Sequence, residues 1–279
     1  MTQMKETVFW SQKKYTLMFS IDDIITTDGY LSFCRDNDIS YVKTDYFYNQ
    51  LEWRGEMQKS PDFNFCVMGH SDYPVTDKIS SKFNKLFCIN RDTDNENTYG
   101  IPLGITNYCD DSYLHRVYGD KEIMVEIANQ DIIKNNLAYI NFNISTFPNE
   151  RKFIFDKFSN EKWVKVGNID NSISGRRKFL IEIKSSKFVF CPRGNGIDTH
   201  RLWETLYMGS MPIVKYERAH HLFTDLPILF INDWSDINEI FLNEKYEEMI
   251  SIDWNLEKLK QSYWNQYIKI MMTAEKIKK

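Results

Sequence analysis

The sequence predicts an α/β fold with mainly parallel sheets, built as two halves with a cleft between them. Three observations carry this. Short apolar runs alternate with helix-like segments along most of the 279 residues, as when strands and crossover helices take turns. A polar stretch at 130–136 parts the chain into two portions that each hold several such units. From 187 to 214 the chain reads strand, glycine-rich turn, helix, strand, which puts a turn at the carboxyl end of a strand, where open α/β sheets bind ligands.

In the first half, 63–68 reads as a buried strand ending at Gly69-His70. Residues 77–86 read as a helix, because Ile79, Phe83 and Leu86 recur at roughly helical spacing. A second strand is expected at 86–90 and one long helix at 113–130. The second half repeats the rhythm: strand 137–142, helix 149–158, strand 163–166, helix 176–184, strand 187–191, helix 199–208, then strands 211–215 and 227–231. From Leu256 onward, Leu259, Tyr263, Tyr267 and Ile270 mark a long amphipathic helix. The expected domains are 1–132 and 133–255, with the helix 256–279 crossing back to the first.

Lysine plus arginine (35) nearly balances aspartate plus glutamate (39), a formal charge of −4. That balance argues against broad nucleic-acid binding but allows a local basic pocket. The five cysteines, Cys34, Cys66, Cys88, Cys109 and Cys191, are odd in number and form no C-x-x-C. Cys66, Cys88 and Cys191 lie in apolar runs, so buried thiols in a reducing compartment are expected. The first 14 residues are mixed and polar, the next apolar stretch breaks at Asp22-Asp23, and no window of 18 apolar residues occurs. No signal peptide or membrane span is expected, and a cytoplasmic location follows.

The turn after 187–191 carries the chemistry. Gly194 and Gly196 lack a Cβ, so the backbone can bend tightly and bring its amides close to a bound group. The helix that follows presents free N–H groups and a positive dipole end, suited to a diphosphate. Arg193 and Arg201 add forked cationic donors, and Asp198 or Thr199 can cap the helix. Glu204 lies too deep in the helix to be a cap. Its carboxylate can accept from the vicinal hydroxyls of a ribose, or it can pair with Arg201 or His200 on a wet helix face.

The run Ser185-Ser186-Lys187-Phe188-Val189-Phe190-Cys191-Pro192-Arg193-Gly194-Asn195-Gly196, then Asp198-Thr199-His200-Arg201-Leu202-Trp203-Glu204 and Gly209-Ser210-Met211-Pro212-Ile213-Val214, resembles the donor-binding segment of exostosin-like glycosyltransferases. A fainter likeness runs through Gly69-His70-Ser71-Asp72-Tyr73-Pro74 and Ile101-Pro102-Leu103-Gly104-Ile105. The resemblance implies the GT-B architecture, two Rossmann-like domains facing across a cleft. The first would hold the acceptor, a glycan or another hydroxyl compound, and the second the nucleotide-sugar donor. It also implies that Glu204 contacts ribose and that Arg193 and the 194–196 turn sit near the diphosphate. Many family members carry an N-terminal membrane anchor; none is seen here, so location and acceptor do not carry over.

Other signals are weaker. Asn143 and Ser145, with Arg151 shortly after, follow strand 137–142 and can line the donor cleft or simply form a turn. For the base that takes the acceptor proton, Asp72 is the first candidate and His70 the second, with Asp198 a further choice; Ser71 or Asp72 can equally cap a turn. Asp92-Thr93-Asp94 has the spacing of a metal-binding D-x-D, yet Asp36-Asn37-Asp38 shows it too, and 92–97 reads as a solvated loop. A metal-independent, inverting transferase without a cofactor is therefore expected. The alternatives are a non-catalytic nucleotide- or carbohydrate-binding protein and a metal-dependent transferase using Asp92 and Asp94. Asn143-Ile144-Ser145 is a glycosylation sequon expected to be unused.

Overall fold

The computed structural model describes residues 7–12, 15–48 and 61–276. An antiparallel hairpin, β1 (Thr7–Gln12) and β2 (Tyr15–Phe19), comes first. Helix α1 (Thr27–Asp36) follows, capped by the Thr26 hydroxyl, which accepts the Gly29 amide. Then come β3 (Ser40–Lys43), β4 (Cys66–Gly69), β5 (Val75–Thr76), α2 (Asp77–Ser80), β6 (Leu86–Cys88), β7 (Arg91–Asp92) and β8 (Thr98–Gly100). Strands β3, β4, β6 and β8 pair side by side in chain order, all parallel. β5 and β7 form a separate parallel pair.

Two helices, α3 (Tyr113–Tyr118) and α4 (Lys121–Ala128), lead into the second half. It runs β9 (Asn136–Ile140), α5 (Pro148–Phe158), β10 (Val164–Val166), α6 (Ile173–Lys184), β11 (Ser186–Phe190), α7 (His200–Tyr207), β12 (Met211–Lys215), β13 (Leu229–Ile231), α8 (Glu239–Met249) and α9 (Gln261–Lys276). Its sheet is parallel throughout, in the order β10-β9-β11-β12-β13. The strand order therefore reverses between β9 and β11. The connections leaving those two strands diverge, and a crevice opens at their carboxyl ends. The first sheet follows its chain order and has no such reversal.

Three elements differ from expectation for local reasons. The single helix expected over 113–130 breaks at Gly119, because the Asp120 carboxylate accepts the amides of Glu122 and Ile123 and starts a new helix. The helix at 77–86 stops after Ser80, whose hydroxyl lies 3.1 Å from that of Thr93. The terminal helix starts at Gln261, after a 3-10 turn at Leu256–Leu259.

One hydrophobic cluster joins both sheets, running from Val67 and Phe87 through Tyr30, Trp203 and Trp264 to Phe188 and Ile213. Helix α9 lies on the first half. The Tyr267 ring sits 5.8 Å from Phe87, the Asp23 carboxylate accepts the amide and hydroxyl of Ser262, and Gln261 accepts the Thr26 amide. The cysteines are free, and of the five only Cys109 is exposed. Burial pushes the Cys66 and Cys191 thiols up to about 12, so they stay protonated and unreactive. Among the described residues no helix is long and apolar enough to cross a membrane.

The Tyr207 hydroxyl binds the halves together, accepting the Ile25 amide at 2.9 Å and donating to the Leu259 carbonyl at 2.8 Å. Tyr207→Phe leaves both backbone groups buried and unpaired. It should lower unfolding free energy in urea by about 1–3 kcal/mol; an unchanged midpoint would show that water replaces the hydroxyl.

Candidate functional site

The site begins where β9 and β11 end. Arg151, on the first turn of α5 and almost fully buried, spans the two strand ends. Its Nε donates to the Arg193 carbonyl and its Nη1 to the Asn143 carbonyl, both at 2.8 Å, with Nη2 at 3.4 Å from the Pro192 carbonyl. A Cβ at position 194 would lie 3.1 Å from Arg151 Nη2, so Gly194 leaves room for the guanidinium.

The turn that follows is tied to the first half. Asn90, in the left-handed region at φ 52, accepts the Asp198 amide at 2.9 Å and donates to the Ser71 carbonyl at 2.9 Å. It presses so close that a Cβ on Gly196 would meet its Nδ2 at 2.9 Å. The Asp198 carboxylate is buried and accepts from the Leu103 amide, the Thr199 amide and the Trp203 indole. Burial pushes its acid up to about 6, against the pull of those donors. His200 Nδ1 lies 2.8 Å from the Gly104 carbonyl. Gly104 has φ 71, and a side chain there would strike the Ile25 carbonyl.

These bonds change the picture of the turn. The amides of Gly194, Asp198 and Thr199 are spent on the Gly196 carbonyl, Asn90 and Asp198. The turn is thus in part a joint between the halves, while Asn195 and Gly196 still line the cavity. Thr199 holds the N-cap position, yet its hydroxyl is buried without a partner. Residues 195–196 of the turn, the start of α7 and the side chains around them face a ligand.

A cavity of about 430 Å³ opens at this point. Its wall takes Asn141, Phe142 and Asn143 from the end of β9, Arg151 from α5, and residues 168–171 after β10. Gly194, Asn195, Gly196, Asp198 and Thr199 of the turn complete it with His200, Arg201 and Glu204 of α7. A larger cavity of about 910 Å³ adjoins it against the first sheet, lined by His70, Ser71 and Tyr73 among others. Asp72, Leu103, Thr106, Leu114, Tyr118, Asn195 and His200 line both. Volumes of this order suit small-molecule ligands.

Arg201 is the unsatisfied charge of the cavity. Its guanidinium lies 6.0 and 5.8 Å from the rings of Phe142 and Phe179. Its Nε is buried without an acceptor, and no ion pair holds it among the described residues. Its neighbour Arg151 is also cationic, and burial together with the Arg201 charge holds Arg151 down at about 10. Two guanidinium groups thus crowd one wall with no carboxylate bound between them.

Glu204 behaves otherwise. It lines the cavity, but its Oε1 accepts from Arg176 Nη1 at 2.6 Å, with side chains 5% and 0% exposed. Of the pairings considered from sequence, neither Arg201 nor His200 is the partner. Arg176 Nη2 also donates to the Tyr118 carbonyl. Arg193 turns away from the cavity, its Nη1 3.2 Å from Glu217 and its guanidinium over the Phe147 ring. Ser145 is likewise outside the lining; its amide and hydroxyl donate to Asn143 Oδ1. His70 is held at both ring nitrogens, by the Tyr41 hydroxyl and by Asp28, each at 2.7 Å. Asp72 is exposed in the cleft, 3.4 Å from Asn195 Nδ2 of the second half.

The candidate D-x-D lies outside both cavities, where Asp92 and Asp94 pair with Arg218. Among the described residues no cluster of three or more His, Cys, Asp or Glu is placed to hold a metal ion. Sequence reasoning missed Asn90, Arg176 and the 168–171 loop. For Arg176 a signal existed: it shares the buried stripe of α6 with Leu180 and Ile183, and a charge on an apolar stripe needs a buried partner.

Residues 154–278 match the family model described as the RXYLT1 C-terminal domain, a xylosyltransferase family related to exostosin-like glycosyltransferases. The matched segment takes in most of the second sheet, the turn, α7 and α9. The second half is thus similar to a glycosyltransferase domain. No curated protein matches the chain.

The Arg176–Glu204 pair dictates how Glu204 must be probed. Glu204→Ala strands a buried guanidinium and should cost about 3–5 kcal/mol of stability. Glu204→Gln keeps an acceptor and should cost clearly less in the same chemical denaturation. Equal losses would mean that the pair is not a structural strut.

Proposed function

We propose that this protein is a glycosyltransferase that moves a sugar from a nucleotide-sugar to a hydroxyl acceptor. The family match supports the reaction class, and the uncompensated charge of Arg201 beside Arg151 is the observation that carries the donor site. A diphosphate lying between β9, β11 and α7 would neutralise these cations, with the positive end of the α7 dipole adding to them. In this reading Arg201 replaces Arg193 as the side chain on the diphosphate. Glu204, with one oxygen on Arg176, offers the other to a ribose hydroxyl. Asn143, Asn195 and Thr199 border the donor, and the 168–171 loop borders the nucleobase.

The adjoining cavity takes the acceptor. Asp72 stands on the shared wall, so the reacting carbon of the donor sits near the boundary of the two cavities. As the sugar–phosphate bond breaks, negative charge grows on the departing diphosphate, and fixed guanidinium groups stabilise it without rearranging. The positive charge that a divalent cation supplies in other transferases comes here from arginine, so transfer is metal-independent, and attack from the acceptor side inverts the anomeric centre. The likeness to a xylosyltransferase family favours a pentose as the sugar.

Thermal shift with UDP, GDP, dTDP and CMP tests the donor site, since a ligand stabilises the fold by RT ln(1 + [L]/Kd). At least one should raise the melting temperature, and Arg201→Gln should weaken that nucleotide about tenfold or more, a loss of about 1.4 kcal/mol, with the unliganded fold intact. Four nucleotides without effect, or undiminished binding by Arg201→Gln, would remove the donor site. Nucleotide release from the donor should also persist in EDTA; its loss would restore a metal-dependent route.

A further inference from the structure

We infer that His200 is the general base of the transfer, accepting the proton of the acceptor hydroxyl at Nε2. This rests on the donor reading above and adds the group that completes the reaction.

The backbone fixes the tautomer. A carbonyl oxygen only accepts, so the 2.8 Å contact with Gly104 places the ring proton on Nδ1 and leaves the lone pair on Nε2. The Gly104 carbonyl is itself immobilised, because this residue sits at φ 71 hard against the Ile25 backbone. Nε2 has no protein partner among the described residues and is not sealed from solvent. The ring lines both cavities, so its lone pair lies where acceptor and donor must meet.

The other candidates fit less well. Both nitrogens of His70 are engaged, so it has no lone pair to offer. Asp72 is exposed, with its Oδ2 3.4 Å from Asn195 Nδ2, so no packing fixes it toward an acceptor as Gly104 fixes the His200 ring. Three charged groups act on His200: Glu204, Asp72 and Arg176. Burial is the dominant influence and lowers its pKa below 6.5, while the hydrogen bond to the Gly104 carbonyl and, after it, the two carboxylates oppose that fall. The ring is therefore neutral at pH 7, and the carboxylates stabilise the imidazolium that proton uptake creates. Asp72 then assists by its charge.

The step balances. Nε2 takes the proton of the acceptor hydroxyl, and the freed oxygen pair forms the bond to the anomeric carbon. The bond from that carbon to the phosphate oxygen breaks, and its electron pair leaves on the nucleoside diphosphate, beside Arg201. The other ring proton stays on Nδ1, donated to the Gly104 carbonyl, throughout.

The test uses His200→Asn, whose side-chain amide can still donate to Gly104 but lacks the second nitrogen. Nucleoside diphosphate release from UDP-xylose, UDP-glucose and GDP-mannose is followed with water or a soluble alkyl glycoside as acceptor. The expected result is a rate lower by about 100-fold or more, with UDP or GDP affinity and melting temperature close to those of the unaltered protein. The unaltered enzyme should lose activity as pH falls below 6.5, the ordinary histidine value, and this acid limb should vanish in the variant. A variant keeping more than roughly a third of the rate, or the same acid limb, overturns the assignment of the base alone. If the variant does not fold, the profile of the unaltered enzyme decides: a rate flat to about pH 4.5, well below the histidine range, excludes His200. If the unaltered protein neither binds UDP or GDP nor releases either, the donor reading falls first and this assignment with it.

Discussion

The first turn of α7 is the constraint from which the cleft follows. It issues from β11 of the second sheet, yet three first-half residues hold it: Asn90 by the Asp198 amide, Leu103 by the Asp198 carboxylate, and Gly104 by the His200 ring. Two of these bonds need an unusual local geometry. Asn90 and Gly104 sit in the left-handed region, and Gly196 must lack a side chain because Asn90 occupies that space. Helix α9 and Tyr207 add further bonds across the same seam. The two sheets therefore meet at a fixed joint, and the cavities on either side keep a defined relation to each other.

Electrostatics divides the charged residues into those that hold the site and those left for a ligand. Arg176 and Glu204 neutralise each other out of water, which is tolerable only because the pair is short and hydrogen-bonded. Arg151 is spent on three carbonyls and fastens the ends of β9 and β11. Asp198 is spent on three donors. Among the described residues Arg201 alone of these has neither a side-chain hydrogen bond nor a counter-charge, only the Phe142 and Phe179 rings beside it. An exposed arginine without a partner is ordinary, but a half-buried one beside a second cation marks a place where an anion belongs.

The second half was legible in sequence because its central strands β11 and β12 are almost wholly buried and read as short apolar runs. Phe188, Val189 and Phe190 of β11 are fully buried. The first half hid more. Helix α1 buries only Thr27, Tyr30 and Cys34, too few to set up a clear period, and in the second half α8, with only Leu242 and Met249 buried, was hidden in the same way. The cap at Asp120 was readable but was overridden by the apolar pattern on both sides of it. At the site, residue types located the turn, whereas side-chain direction was beyond them. Arg193 and Arg201 look equivalent in the motif, and only the packing of Phe147 and Glu217 around Arg193 takes it out of the cavity. His70 looked like a free base until Tyr41 and Asp28, both distant in sequence, filled its two nitrogens.

The most direct measurement is a crystal structure with UDP or GDP bound at millimolar concentration. A donor cleft requires the two phosphates within hydrogen-bonding distance of Arg201 and the pentose beside Glu204. A nucleotide bound elsewhere, or a cavity occupied with the phosphates far from Arg201, would contradict a donor site built on that arginine.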